Sequence, residues 1–267
     1  MLTSIRGLLA ATLLTGCAMA ATPAFADEET APPGAFTITG NAAIVSDYRF
    51  RGLSQSGGDP ALQGSININH SSGFYVGTWA SSIDFANTFP GLDPIYGNLE
   101  VDIYGGWTGS VGGAVTADVG LLYYAYPGGH VGKADFFEPY ASVSTTLGPV
   151  TAKLGAAYAF KQEALDFNAD GQNDDNLYVY GDLSAGIPST PISLSAHLGY
   201  TSGALSPKFA TGVLGSTINS GGFDYSVSAT FNVTKNLSIG ASYIGVDGVS
   251  IHDYSNDTVV GTLKLSF

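Results

Sequence analysis

From Ala35 to Phe267, apolar and polar residues alternate with a period of two in runs of about ten, and each run closes on a break rich in Gly, Pro, Asn or Asp. This pattern predicts strands with one greasy and one polar face, joined by turns. Twelve runs can be traced. In the first, Phe36, Ile38, Gly40, Ala42, Ile44, Ser46, Tyr48 and Phe50 share one face, while Thr37, Thr39, Asn41, Ala43, Val45, Asp47, Arg49 and Arg51 share the other. The fourth sets Leu99, Val101, Ile103, Gly105 and Trp107 against Glu100, Asp102, Tyr104, Gly106 and Thr108. The tenth sets Phe223, Tyr225, Val227, Ala229 and Phe231 against Asp224, Ser226, Ser228, Thr230 and Asn232. The remaining runs fall near 62–69, 74–84, 114–126, 136–147, 150–160, 176–187, 192–201, 237–246 and 259–267.

The breaks alternate in length. Short ones lie at 70–73, 109–113, 148–149, 188–191 and 232–236; long ones at 53–60, 85–98, 127–135, 161–175, 202–222 and 247–257. Short periplasmic turns and longer external loops are the rhythm of an outer-membrane barrel. The expected fold is therefore all-β: a transmembrane antiparallel β-barrel of about 12 strands, one domain over 35–267. A soluble β-sandwich with its apolar faces inside is the alternative, and it gives no reason for that rhythm. Pro139 is the one proline expected inside a strand.

Charges obey the same register. The outward faces carry no Asp, Glu, Lys or Arg, whereas the inward faces carry Asp47, Arg49, Arg51, Asp84, Glu100, Asp102, Asp118, Glu138, Lys153, Asp182, Asp224 and Lys264. A charge facing lipid at the midplane costs about 2–4 kcal/mol. Aromatics gather at the ends of the runs. Tyr48, Phe50, Tyr158, Phe160, Tyr200, Tyr225 and Tyr243 stand near the long loops, and Phe36, Trp107, Phe231 and Phe267 near the short turns. Two such girdles suit two lipid interfaces.

Composition narrows the classes. Charged residues are 12% of the chain and aromatics another 12%. The formal net charge of −13 disfavours a nucleic-acid partner. Residues 1–26 read as a signal peptide, with Arg6, the apolar core Gly7–Gly16 and the small-x-small site Ala24-Phe25-Ala26. Leu14-Thr15-Gly16-Cys17 offers a rival lipoprotein box. Residues 27–34 read as a flexible leader. Cys17 is the only cysteine, so disulfides and Cys-ligated zinc are not expected.

Candidate chemistry lies on the inward faces. Asp47, Arg49, Arg51, Glu100, Asp102, Asp118, Glu138, Lys153, Asp182 and Asp224 are the expected pore-lining residues. They form either a charged constriction that selects solutes or an ion-pair lattice that braces the wall. Eight inward acids against four inward bases favour cations. No catalytic set, cofactor or metal is expected. Asp166-Phe167-Asn168-Ala169-Asp170-Gly171 resembles the start of a calcium loop, but Leu177 stands where its bidentate Glu belongs. His197 points inward between Ser193, Ser195 and Gly199, without a Ser–His–acid spacing.

Ser46-Asp47-Tyr48-Arg49-Phe50-Arg51-Gly52-Leu53-Ser54-Gln55-Ser56, followed by Asp59-Pro60, resembles the signature of the TorF family of porins, a Gly-rich conserved hypothetical outer-membrane family. Gly73–Ser81 and Leu99–Gly106 are similar to it too. The resemblance implies a porin-like outer-membrane channel for passive diffusion of small hydrophilic solutes. The alternatives are a non-conducting structural or adhesion barrel and a lipid-facing enzyme. Expected partners are outer-membrane lipid, small solutes and, through Phe267, the barrel-assembly machinery.

Overall fold

The computed structural model describes residues 35–86, 93–130, 133–167, 171–212 and 217–267. The expected signal peptide, Cys17 and the leader lie outside the described residues, as do residues 168–170 of the calcium-like run. No helix among the described residues is long and apolar enough to cross a membrane.

The strands are β1 (Phe36–Val45), β2 (Arg49–Phe50), β3 (Leu53–Ser54), β4 (Ala61–His70), β5 (Phe74–Ser82), β6 (Leu99–Gly112), β7 (Val115–Ala125), β8 (Phe136–Leu147), β9 (Val150–Gln162), β10 (Asp174–Gly186), β11 (Ile192–Gly203), β12 (Gly222–Asn232), β13 (Leu237–Val246) and β14 (Thr258–Ser266). All but β2 and β3 form one closed antiparallel barrel of twelve strands. Each barrel strand pairs with its neighbour in sequence, and β1 closes the ring against β14 through Asn41–Ser266 to Val45–Thr262. Closure leaves no unpaired edge, the only way a sheet can lie in hydrocarbon.

The alternation seen in the sequence is the alternation of the wall. Phe36, Ile38, Leu62, Leu99, Ile103, Val227 and Leu265 are exposed on the outside, whereas Tyr104, Tyr140 and Asp224 are buried inside. Pro139 is tolerated because the β8–β9 ladder begins one residue later, at Tyr140–Ala157. Beyond that point the Gln162 side chain replaces the ladder, accepting from Phe137 N at 2.8 Å and donating to Phe137 O at 2.9 Å. β10 starts two residues earlier than expected. Tyr158 Oη donates to its Asp175 at 2.7 Å on the exposed rim.

One expectation fails. The first run does not continue as a wall strand to Arg51. β1 stops at Val45, where Ser46 bonds twice to Gly261 of β14, at 2.9 Å each. The chain then turns into the barrel. β2 and β3 form a small hairpin paired through Arg49–Ser54 and Phe50–Leu53. Its two turn residues, Arg51 and Gly52, both have positive φ, 48° and 83°, the demand of a type I′ turn. Alternation persisted through Phe50 because the hairpin is itself extended. Tyr48 and Phe50 are therefore not girdle residues. Tyr48 is buried and Phe50 half-buried, both inside. Asp84, expected on β5, lies past its end, where its N–H donates to Gln55 O at 2.8 Å.

Candidate functional site

The hairpin fills the long-loop end of the lumen. Asp47 holds its base: Ser54 Oγ donates to Asp47 at 2.6 Å and Ser56 Oγ at 3.2 Å, while Arg49 Nε donates to its other oxygen at 2.5 Å. Arg49 Nη1 continues to the backbone oxygens of Tyr254, at 2.7 Å, and Asn256, at 3.2 Å. Ser54 N donates to Tyr254 O at 2.8 Å. These bonds tie the hairpin to the loop between β13 and β14. Leu53 packs with Val246 and Tyr254, and Tyr48 packs with Val45, Ala61, Ile83, Phe85, Ile244 and Val260. The upper lumen is thus a packed core.

The tip reaches the opposite wall. Arg51 Nη2 donates to both Glu138 oxygens, at 2.7 and 2.8 Å. The guanidinium lies 4.2 Å from the centroid of Tyr178 and 4.8 Å from that of Phe50. Tyr124 Oη donates to Glu138 at 3.1 Å, and Tyr48 Oη donates to Glu100 at 2.9 Å. Burial alone would pull the Arg51 pKa down, but the Glu138 carboxylate beside it more than reverses this and raises it. Burial, then the Glu100 carboxylate, pushes the Tyr48 phenol well above its ordinary value, so it remains a donor. Asp102 is wholly buried, and neither of its oxygens has a hydrogen-bond partner among the described residues.

Toward the short turns the lumen turns polar. His197 lies between two carboxylates, with Nδ1 at 2.6 Å from Asp182 and Nε2 at 3.0 Å from Asp224. Tyr178 Oη sits 2.8 Å from the same Nε2 and donates to Asp224 at 3.1 Å. Tyr75 Oη donates to Asp118 at 2.6 Å and lies 2.5 Å from Tyr140 Oη. Lys153 stands opposite Asp182 in register and over the Tyr180 ring at 5.5 Å. Thr39, Asn67, Asn69 and Thr116 line this end with partial exposure, and Thr37 is exposed.

The expected site residues thus divide in two. Asp47, Arg49 and Arg51 belong to the hairpin rather than the wall, and Arg51 is brought onto Glu138 beside Glu100 and Asp102. Asp118, Lys153 and Asp182 line the wall below, while Asp224, near the long-loop end of β12 and against the hairpin's Gly52, is joined to Asp182 through His197. The sequence reading missed the tyrosines. Inward rings of Tyr140, Tyr180, Tyr178 and Tyr104 lie against glycines of neighbouring strands. A Cβ added at Gly120 would sit 2.3 Å from Tyr140 Oη, and one at Gly155 would sit 2.4 Å from Tyr180 Cζ. Tyrosines among glycines on the polar faces were the available signal.

Residues 29–267 match the family described as bacterial proteins of unknown function, Gcw_chp, and the chain belongs to it. A search of curated proteins finds no match. Among solved structures the chain is similar to the NanC porin, with a TM-score of 0.56 and 12% identity over 86% of this chain and 99% of that one. It is similar to the KdgM porin, with a TM-score of 0.52 and 9% identity over 86% and 97%. It also resembles an outer membrane channel from Pseudomonas putida F1, with a TM-score of 0.51 and 12% identity over 90% and 97%. At these identities the likeness is one of fold.

Proposed function

We propose that this member of the Gcw_chp family is an outer-membrane channel for passive diffusion of small hydrophilic solutes, preferring cations, with the inner hairpin setting its narrowest point. The observation that carries the reading is the acidic wall below the hairpin, where Asp118 and Asp182 face the lumen. Near a low-dielectric wall such charges attract counter-ions more strongly than on an open surface. An apolar outer band around a polar interior supports a barrel that sits in lipid. The likeness of the hairpin motif to TorF porins and the porin-like architecture support the same reading. On this reading the short turns lie in the periplasm, and Phe267 is the feature the assembly machinery would read.

The near-complete burial of the hairpin favours a second reading, a closed structural or adhesion barrel. An enzyme is disfavoured by His197, whose two ring nitrogens are taken by Asp182, Asp224 and Tyr178 and leave none to activate a serine. Reversal potential of refolded protein across a planar bilayer in a salt gradient tests the proposal. Cation preference supports it; anion preference removes the acidic-wall argument, and a silent protein favours the closed barrel.

A further inference from the structure

Arg51 occupies its place as a ligand occupies a site. Its guanidinium has a bidentate carboxylate, Glu138, and an aromatic face, Tyr178, which is 1% exposed. Carboxylate and ring together are the elements that recognise guanidinium and ammonium groups.

The place holds more buried acidic side chains than its occupant answers, Glu100 and Asp102 beside Glu138. Asp102 faces Tyr124 in register across β6 and β7, and Tyr124 Oη donates to Glu138 at 3.1 Å. Asp102 is 0% exposed, and neither oxygen has a hydrogen-bond partner. Asp224, against the hairpin's Gly52, also leaves Oδ2 unpaired. On the Arg51 side, Nε and Nη1 form no hydrogen bond. A buried polar group without a partner is costly, and this part of the lumen leaves donors and acceptors alike without one. The occupant is also held awkwardly. Its backbone adopts φ 48°, a left-handed conformation that L residues other than Gly, Asn and Asp seldom take.

We propose that this place is a binding site for guanidinium- or ammonium-bearing solutes, with Arg51 as its tethered occupant. A diffusing cation of that class competes with Arg51 for Glu138, Tyr178 and the unmet Asp102, and its binding releases the hairpin from the lumen. This deepens the channel reading and rests on it for its consequence, though not for the binding itself. A cation that binds only the vacated site draws the hairpin toward the released state in proportion to that difference in affinity.

The test uses L-argininamide as probe on refolded full-length protein in lipid vesicles. Trp79 reports the hairpin, because its ring lies 5.3 Å from that of Tyr48. The other tryptophan, Trp107, is removed as Trp107→Phe. Argininamide is expected to move Trp79 emission saturably, beyond the effect of sodium chloride at equal ionic strength. In Arg51→Gln the emission should start at the moved position. There argininamide should raise the thermal midpoint at a concentration about tenfold or more below that needed in the parent. Glu138→Gln should abolish the response. If either charge variant does not fold, Tyr178→Leu, which removes the ring and no charge, should weaken it. A parent that responds no more than to sodium chloride overturns the proposal, as does a response to argininamide in Glu138→Gln or Tyr178→Leu as strong as the parent's. Conductance recorded in parallel separates the two readings. Emission that responds in a protein that never conducts keeps the site and removes the channel. Conduction with no emission response does the reverse.

Discussion

Arg51 and Glu138, 87 residues apart in sequence, meet inside the barrel through two hydrogen bonds of 2.7 and 2.8 Å, with the side chains each 3% exposed. Neither belongs to the other's strand pair, so the contact exists only because the hairpin folds inward. Removing one partner leaves an uncompensated buried charge. Glu138→Ala is expected to lower stability by about 3–5 kcal/mol, and Arg51→Met with Glu138→Leu to recover most of that loss. Urea unfolding of vesicle-inserted protein measures both. A loss under about 1 kcal/mol for Glu138→Ala, the range of a solvated surface pair, would show the pair to be exposed.

Glycines on the inner wall give the tyrosine rings somewhere to lie. An added Cβ at Gly155 would meet Tyr180 Cζ at 2.4 Å, so the ring must swing into the lumen. Gly155→Ala is expected to cost about 1–3 kcal/mol and to reduce unit conductance. Gly186→Ala, where a Cβ meets nothing within 4 Å, serves as the control with neither effect.

The wall was legible in the sequence, and its interior furniture was not. Period-two alternation, one-sided charge and the loop rhythm are each consequences of a lipid-facing exterior, and they gave twelve strands within a few residues of their ends. The hairpin was hidden because it obeys the same alternation. Residues 46–51 read as more of β1, although Arg51-Gly52 is a two-residue turn signal. Which inward charges meet is a matter of pairing across the lumen, and a local pattern carries no information about partners 87 residues away. His197 was placed on the inward face from its position alone, but its carboxylate neighbours come from two other strands.

In the proposed channel, the lower wall sets selectivity. Asp118→Asn with Asp182→Asn is expected to shift reversal potential toward anions, and Lys153→Met with Lys264→Met to shift it toward cations. Both shifts should shrink as salt rises, because screening shortens the reach of wall charges. Bi-ionic measurements at low and high salt check the sign and its decline. Shifts that are absent, or that grow with salt, contradict an acidic lumen.

Phe267 closes the seam between the first and last strands. Its N–H donates to Gly40 O at 3.0 Å, Gly40 N–H donates to its oxygen at 2.9 Å, and its ring covers Gly40, where a Cβ would sit 2.7 Å from Phe267 Cζ. Deleting Phe267 is expected to lower the fraction of folded, heat-modifiable barrel in the outer membrane. Gly40→Val, which displaces the ring but keeps the terminal residue, should lower in-vitro refolding as well. Normal folded levels in the deletion would show that the seam forms without it.

The account as a whole rests on a lumen that is open below and occupied above by residues 46–60. Single-channel conductance in planar bilayers tests this most directly, comparing the native chain with one in which Asp47–Gly57 is replaced by a short Gly-Ser link between β1 and β4. The account predicts a larger unit conductance without the hairpin, with cation preference retained from Asp118 and Asp182. Equal conductance in the two proteins, or silence in both when both are folded, would contradict it.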